Sequence, residues 1–347
     1  MAFERGVVSF RMVELPRPFP EDWAERFAAR RAGGLEGVGG GVQRGWVRLA
    51  LRLAERKVPA ALLQAECRME ELAVQAAEGK PFLRAKERAE IRRGVMERLL
   101  PSMPPQLRAI PFVYLPEATW LYVSALPNSA WDVFHAALVS TLGLSGSPAT
   151  PEVLAAGRHR VSLRDLPNYS FSPEMEGEVS EPAPGQEFLT WLWFKAETQL
   201  GQIALSDGRV VSVLVEGPLV FRREGQGAHA VVLKKGAPES SAEAKTCLMG
   251  GKKLKEARLT LALDGERVWS FGFEADEFLV RGLKLPQSAG ALDGLSRFQE
   301  RMVFLEEWRE MFLDLFGAFV GVRGDGKKWR GVLGEIREWV AGRPGRR

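Results

Sequence analysis

The sequence has few of the residues that usually hold metal ions or carry nucleophilic catalysis. Its 347 residues include three histidines and two cysteines, and none of them has the spacing of a metal site. No G-x-S-x-G motif of a serine hydrolase is present. We therefore expect no metal, no cofactor and no enzyme activity. An unrecognised enzyme stays an open alternative, because catalytic carboxylates can be brought together from distant positions in the chain.

Long apolar runs and a large net charge are also missing. No run approaches the roughly 18–20 apolar residues of a membrane span, and the first ten residues carry charges where a signal peptide needs an apolar core. Two cysteines are too few for a disulfide framework and favour a reducing compartment. These absences predict a cytoplasmic protein that does not associate with membranes.

Two glycine-rich stretches lack the context of a phosphate-binding loop. The glycines between Gly33 and Gly45 do not have the G-x-G-x-x-G spacing, and a helix is expected before them. Gly321 to Lys328 matches G-x-x-x-x-G-K, but Lys328 occupies the position at which a P-loop has Ser or Thr. Nucleotide binding at either stretch is therefore rejected.

The pattern of apolar residues predicts an α+β fold with antiparallel β-sheets built from hairpins. Asp207-Gly208 and Asp264-Gly265 each lie between two strand-like runs, which is a strong hairpin signal. We expect strands over residues 6–15, 46–53, 109–115, 119–125, 188–195, 202–205, 210–215, 219–222, 230–233, 257–263, 268–273 and 278–285. We expect helices over 21–32, in two parts over 59–100, over 129–142, from Ser296 with Gln299 in a capping box to the glycines 317 and 321, and around 329–340.

This order of elements suggests four regions. They are an N-terminal α+β region at 1–145 with a protruding charged helical hairpin at 59–101, a connector rich in Pro, Ser, Gly and Glu at 146–186, a mainly antiparallel β region at 187–286, and C-terminal helices with a basic tail at 287–347.

The most basic stretch of the chain is Lys80 to Pro101. It holds seven basic and three acidic residues, and its excess of four equals the net charge of the whole protein. Lys80, Arg84, Arg88 and Arg92 recur at every fourth position, which predicts one basic face on a helix. Such a face can attract phosphates. It can equally be an ordinary solvated surface.

Further basic clusters occur at Lys234-Lys235, over Gly250 to Arg258, and around Lys327 with the tail from Arg343. The first two are expected at strand ends, where loops project. Acidic residues are concentrated elsewhere, for example in the connector. Charge that is segregated in this way favours a positive surface for DNA, although each cluster alone is compatible with a solvated loop.

The order of several segments resembles a known family. These segments are Gly45-Trp46-Val47, Lys57 to Leu63, the charged hairpin that ends with Arg98 to Pro101, the strand pair with Trp120, Lys234-Lys235, Gly251-Lys252, Ala257 to Leu263 and Gly282 to Leu285. Over roughly residues 5 to 320, the chain resembles the bacterial recombination-associated protein RdgC family.

The resemblance implies a ring-forming homodimer, associated with the nucleoid, whose basic hole takes double-stranded DNA without reading its sequence. Such a ring modulates homologous recombination by limiting the access of the RecA recombinase. The DNA-binding residues that it implies are Arg84, Lys86, Arg88, Arg92, Lys234, Lys235, Lys252, Lys253, Lys255 and Arg258. The chain is shorter than the family pattern over 46–57 and differs at 102–105, which leaves a protein-interaction scaffold without ring closure as an alternative.

Overall fold

The computed structural model describes residues 3–29, 41–43, 45–175, 182–198, 200–223, 229–234, 236–287 and 293–342. Its strands are β1 (Val8–Glu14), β2 (Gly41–Gln43), β3 (Trp46–Arg56), β4 (Pro105–Leu115), β5 (Trp120–Val123), β6 (Ser147–Pro148), β7 (Gln202–Ala204), β8 (Val210–Arg222), β9 (Ala230–Leu233), β10 (Lys253–Leu263), β11 (Arg267–Glu274) and β12 (Leu279–Lys284). Its helices are α1 (Trp23–Ala29), α2 (Ala60–Glu78), α3 (Ala85–Leu99), α4 (Asn128–Leu142), α5 (Pro151–His159), α6 (Pro184–Thr198), α7 (Ala242–Met249), α8 (Gly294–Arg323) and α9 (Gly326–Ala341).

The described residues divide into two compact units. The sheet unit takes its residues from Met1–Pro20, Gly40–Leu49 and Pro111–Arg347. The hairpin unit takes its residues from Glu21–Gly39 and Ala50–Ile110, and it contains α2 and α3. The predicted helical hairpin at 59–101 is thus confirmed as two helices within one unit.

The sheet has the hydrogen-bonded strand order β2-β3-β4-β5-β1-β12-β11-β10-β8-β7, with β6 beside β1 and β9 beside β8. The pairings β1–β5, β4–β5, β7–β8, β8–β10, β10–β11 and β11–β12 are all antiparallel. Both predicted Asp-Gly hairpins are confirmed, because β7–β8 and β10–β11 flank them. The α+β class with antiparallel strands is likewise confirmed.

Helices α6 and α8 bring the core of the sheet unit together through aromatic side chains. The Phe188 ring of α6 lies 5.9 Å from that of Phe312 and 5.2 Å from that of Phe316, both on α8. Phe10 of β1 packs edge-on against Trp308 of α8 at 5.4 Å. Edge-to-face contacts of this kind stabilise a core beyond the area they bury. Helix α4 packs on Phe112 of β4 through Phe134.

The strand predicted over 188–195 is wrong, because these residues form the middle of α6. All residues from Pro184 to Phe194 are buried, so this part of the helix has no solvent-exposed face. A helix that is buried all round shows no 3.6-residue period, and a short apolar run then cannot be distinguished from a buried strand. The stretch predicted as a connector contains α5 as well, and Phe171 from it lies in the core.

Helix α8 is longer at both ends than predicted. Its N-cap is Asp293, whose Oδ1 accepts hydrogen bonds from the backbone N of Leu295 and Ser296, so the capping box at Ser296 is wrong. Gly317 lies inside the helix and does not end it. A Cβ at this position would lie 2.9 Å from Cε1 of His159, so glycine permits the close approach of α5. Single glycines in helices often have such a packing reason.

A lysine of α7 lies between two tryptophans. Lys245 Nζ is 3.0 Å from the ring centroid of Trp339 on α9 and 5.3 Å from that of Trp193 on α6. Glu197 accepts hydrogen bonds from both indole N–H groups, at 2.7 and 2.8 Å, and from Lys245 at 3.2 Å. Burial lowers the pKa of Lys245 to about 8, against the raising effect of the Glu197 charge.

The hairpin unit has a small core. Its buried cluster consists of Val58, Leu63, Cys67 and Val95, with Ile91, Leu99 and Met103 packed partly buried against it. Several large apolar side chains of the two helices stay exposed, among them Met69 at 57% and Leu72 at 49%. The helices α2 and α3 therefore leave several large apolar side chains accessible.

Candidate nucleic-acid interface

The basic stretch forms helix α3 and the turn before it. Helix α2 ends at Gly79, whose φ of 62° is the left-handed conformation that favours glycine. Helix α3 begins after Arg84, and Oε2 of Glu87 accepts a hydrogen bond of 2.6 Å from the backbone N of Arg84. A carboxylate in the first turn satisfies a free backbone donor and suits the helix dipole.

Five cations of this segment are exposed to solvent. None of them forms an ion pair with any residue that the structure describes, and their side chains are therefore available to phosphates. They are Arg84, Lys86, Arg88, Arg92 and Arg93. Four of them are predicted DNA-binding residues. The spacing argument missed Arg93, because it follows only every fourth position.

Two other cations of the hairpin are already neutralised. Lys80 Nζ lies 2.6 Å from Glu78 and 2.7 Å from Glu87. The hydrogen bonds that Lys80 donates to these two carboxylates raise its pKa. Arg98 lies 3.2 Å from Glu66 and pairs with a second glutamate of α2 at 3.5 Å. The predicted four-residue stripe is therefore interrupted at Lys80, which also lies in the turn before α3.

A shallow apolar groove of 390 Å³ lies along the outside of α3. It is lined by Ala89, Met96 and Leu100, with Arg92 and Arg93 beside them. Met96 is 38% exposed and Leu100 is 36% exposed. The same helix thus presents both free cations and accessible apolar carbon.

The lysines predicted over 250–258 are placed differently from expectation. They do not project from a loop, because residues 253–263 form β10 within the sheet. Lys253 is buried, with Nζ 3.2 Å from Oε1 of Glu187 and hydrogen-bonded to Asn168. The other oxygen of Glu187 binds Arg323 at 2.7 Å. A buried and paired ammonium cannot contact DNA, so Lys253 is excluded from the interface.

Lys255 is held by two acidic residues of the sheet unit. Its Nζ lies 2.5 Å from Asp276 and 3.3 Å from Glu274. Burial alone would lower the pKa of Lys255, but the hydrogen bond to Asp276 and the nearby negative charges together raise it. Burial also raises the pKa of Glu274. The charge of Lys255 is thus used inside the protein.

The remaining predicted residues of the sheet unit do not form one cluster. Lys234 is exposed after β9, Lys252 is half-buried, and Nε of Arg258 donates a hydrogen bond to Ser270 at 3.1 Å. Lys235 and the basic tail from residue 343 lie outside the described residues. The concentration of free cations on α3 has no counterpart among these residues.

A polar cleft of 650 Å³ in the sheet unit contains side chains of the types that take part in catalysis. It is lined in part by His159, Ser206, Asp314 and Arg309. Burial, followed by the charge of Arg158, lowers the pKa of His159. Asp314 accepts a hydrogen bond from the backbone N of Ser206, and over the described residues no hydrogen bond joins His159 to either of them. The cleft therefore shows no nucleophile activated by a base.

In the described ranges, no three His, Cys, Asp or Glu side chains are placed to hold a metal ion together. No helix within those ranges combines the length and apolar character that crossing a membrane requires. Comparison with known proteins finds no family model that matches the chain and no curated protein that matches it. The resemblance to the RdgC family therefore stays a prediction.

Proposed function

We propose that this protein binds double-stranded DNA irrespective of sequence, through the basic face of α3. The observation that supports the proposal is the set of five exposed cations without ion pairs on one helix and its N-terminus. Contacts between such cations and phosphates position a protein on DNA without reading any base. They also release counterions, which provides most of the free energy of nonspecific binding.

The biological part of the proposal follows the resemblance given above. A homodimer of the chain encircles or lines duplex DNA in the nucleoid, and by occupying it limits the access of the RecA recombinase during homologous recombination. A dimer doubles the number of basic α3 faces that one particle offers to DNA. Dimerisation, ring closure and antagonism to RecA are separate parts of this proposal, and each can be tested on its own.

The direct test is the salt dependence of binding to random duplex DNA. Each phosphate contact contributes about 0.9 to the slope of log affinity against log salt concentration. If about six phosphates are contacted, the slope is near −5. Substituting Arg84, Arg88 and Arg92 together by Ala removes three free cations from each chain, and we expect the slope to become shallower by about 3 for each chain that contacts the DNA.

A matched control is available on the same hairpin. Arg68, Lys80 and Arg98 carry the same total charge but are already paired with carboxylates. Their joint substitution by Ala should change the slope much less than the first triple variant does. If both triple variants change the slope equally, binding depends on the overall charge of the protein and not on the free cations of α3. An absence of binding at low salt would exclude the proposal.

A second candidate function is a protein-interaction scaffold. The observation that favours it is the apolar carbon that the hairpin unit leaves accessible, which comprises Leu62, Met69 and Leu72 on α2 and the groove along α3. Exposed apolar patches are typical of protein contacts. If this surface binds a second copy, Met69→Glu with Leu72→Glu should lower the oligomeric mass in sedimentation. Val303→Glu, at an exposed residue of α8, is the control.

A further inference from the structure

An aromatic side chain is exposed in the turn that connects α2 to α3. Phe82 has 68% of its surface accessible, whereas the next residue, Leu83, is 4% exposed. Single exposed apolar residues are common on proteins. This one is unusual in its neighbours, because it lies between Lys80 and Arg84, directly before the basic face of α3.

Hydrogen bonds hold the backbone of the turn on both sides of Phe82. The backbone N of Lys80 donates to the Gln75 carbonyl at 3.1 Å, and the Gln75 side chain donates to the Pro81 carbonyl at 3.4 Å. On the other side, the Arg84 backbone is tied to Glu87, and Leu83 is buried. A ring that is presented on a fixed turn loses little conformational freedom when it binds.

The space beside the ring is lined by groups that are complementary to a nucleotide. A concave surface of 360 Å³ is lined by Lys80, Pro81, Phe82, Arg84 and Glu87. Lys80 is neutralised by its two glutamates. Arg84 is free, and Lys86 and Arg88 follow it without ion pairs among the described residues. An apolar ring face next to free guanidinium groups matches a base next to its phosphates.

We propose that Phe82 stacks on an unpaired nucleobase while Arg84 and Arg88 hold the phosphates of the same strand. This inference rests on the proposed function and makes it more specific. In an intact duplex, both faces of each base are covered by neighbouring bases, and Phe82 can reach one only at the cost of unstacking. The hairpin therefore prefers DNA that contains a gap or another exposed base over a continuous duplex.

The test compares two duplexes with a central single-stranded gap, one of thymidines and one of abasic residues. The two DNAs carry the same phosphates and differ only in the bases that a ring could stack on. Stacking of one base on an aromatic side chain corresponds to about tenfold in affinity. We expect the wild-type protein to bind the thymidine gap about tenfold more tightly, with the same salt slope for both DNAs.

Two variants connect the preference to the ring. F82A should bind both DNAs with the affinity that the wild-type protein shows for the abasic gap, and F82W should keep the preference for thymidine. Equal binding of the two DNAs by the wild-type protein would overturn this inference and leave nonspecific DNA binding intact. Binding to neither DNA would overturn both.

Phe82 could instead contact another protein, and the same variants detect this. If F82A changes the oligomeric mass in sedimentation while the preference for thymidine persists, Phe82 belongs to a protein contact and the inference is overturned. An unchanged mass with a lost preference supports base stacking.

Discussion

The sheet unit contains buried lysines that are paired with glutamates, whereas α3 of the hairpin unit contains exposed arginines. In the sheet unit, Lys253 and Lys245 are buried and each is held by a glutamate. In the hairpin unit, Arg88 and Arg92 of α3 are exposed and form no ion pair with the described residues. These two lysines of the sheet unit therefore stabilise its fold, whereas these arginines of α3 remain available to ligands.

The apolar residues show the same contrast. The core of the sheet unit contains many large aromatic side chains, with Trp269, Trp308 and Phe316 fully buried. The buried cluster around α2 and α3 consists of four residues, none of them aromatic, and Phe27 of α1 is a buried aromatic side chain elsewhere in the hairpin unit. A unit that leaves apolar side chains accessible can be stabilised by a partner that covers them. We expect variants to separate the two units in the following order.

The largest expected effect is the loss of the buried carboxylate of α6. Glu187 lies between Lys253 and Arg323, and its side chain is 3% exposed. Glu187→Gln leaves two buried cations without their anion, which typically costs about 3–5 kcal/mol. Chemical denaturation should show this loss of unfolding free energy. Glu97→Gln, at an exposed residue of α3, is the control and should change stability by less than about 0.5 kcal/mol. A similar small change for both variants would contradict the role of Glu187.

The next effect concerns pH and Lys245. Burial lowers its pKa from 10.5 to about 8, so between these values the unfolded chain binds more protons than the folded protein. Stability should therefore rise as pH increases from about 8 to 10.5, by at most about 3.5 kcal/mol, since one pKa unit corresponds to about 1.4 kcal/mol.

Substituting Met for Lys245 tests this sign. Lys245→Met should remove most of the rise in unfolding free energy over that pH range, whereas Lys234→Met, at an exposed lysine, should leave the rise intact. A pH profile of Lys245→Met identical to that of the wild-type protein would assign the rise to other groups.

The smallest effect concerns the core of the hairpin unit. Leu63 is 4% exposed, and truncating it to Ala should cost about 2 kcal/mol, at the low end for buried leucines, because a cluster of only four buried residues can collapse around the space. Hydrogen exchange should report this in the amides of α2. Even in the wild-type protein, we expect the amides of α2 and α3 to exchange at a lower free energy than those of α8. Equal protection of these helices would remove the contrast.

Local signals predicted the elements that depend on neighbours in the chain. The turn residues Asp207-Gly208 and Asp264-Gly265 identified two hairpins, and the apolar period identified α2, α3 and α4. Helix α6 could not be identified in this way. It is buried on all sides, and its apolar run therefore carries no period that separates a helix from a strand.

The candidate interface was predicted in part for a similar reason. The exposure of Arg84, Lys86, Arg88 and Arg92 follows from a short helix with a small apolar stripe, which the sequence displays. The burial of Lys253 follows from Glu187, which lies 66 residues away in the chain. No local pattern indicates a pairing at that distance, so a buried lysine and a solvated one look alike in sequence.

Gly317 has a consequence for the contact between α5 and α8. It allows His159 to approach a 30-residue helix so closely that even a methyl group would collide with the imidazole. Replacing Gly317 by alanine would therefore displace the imidazole of His159, which is the far end of a side chain and can move away at little cost.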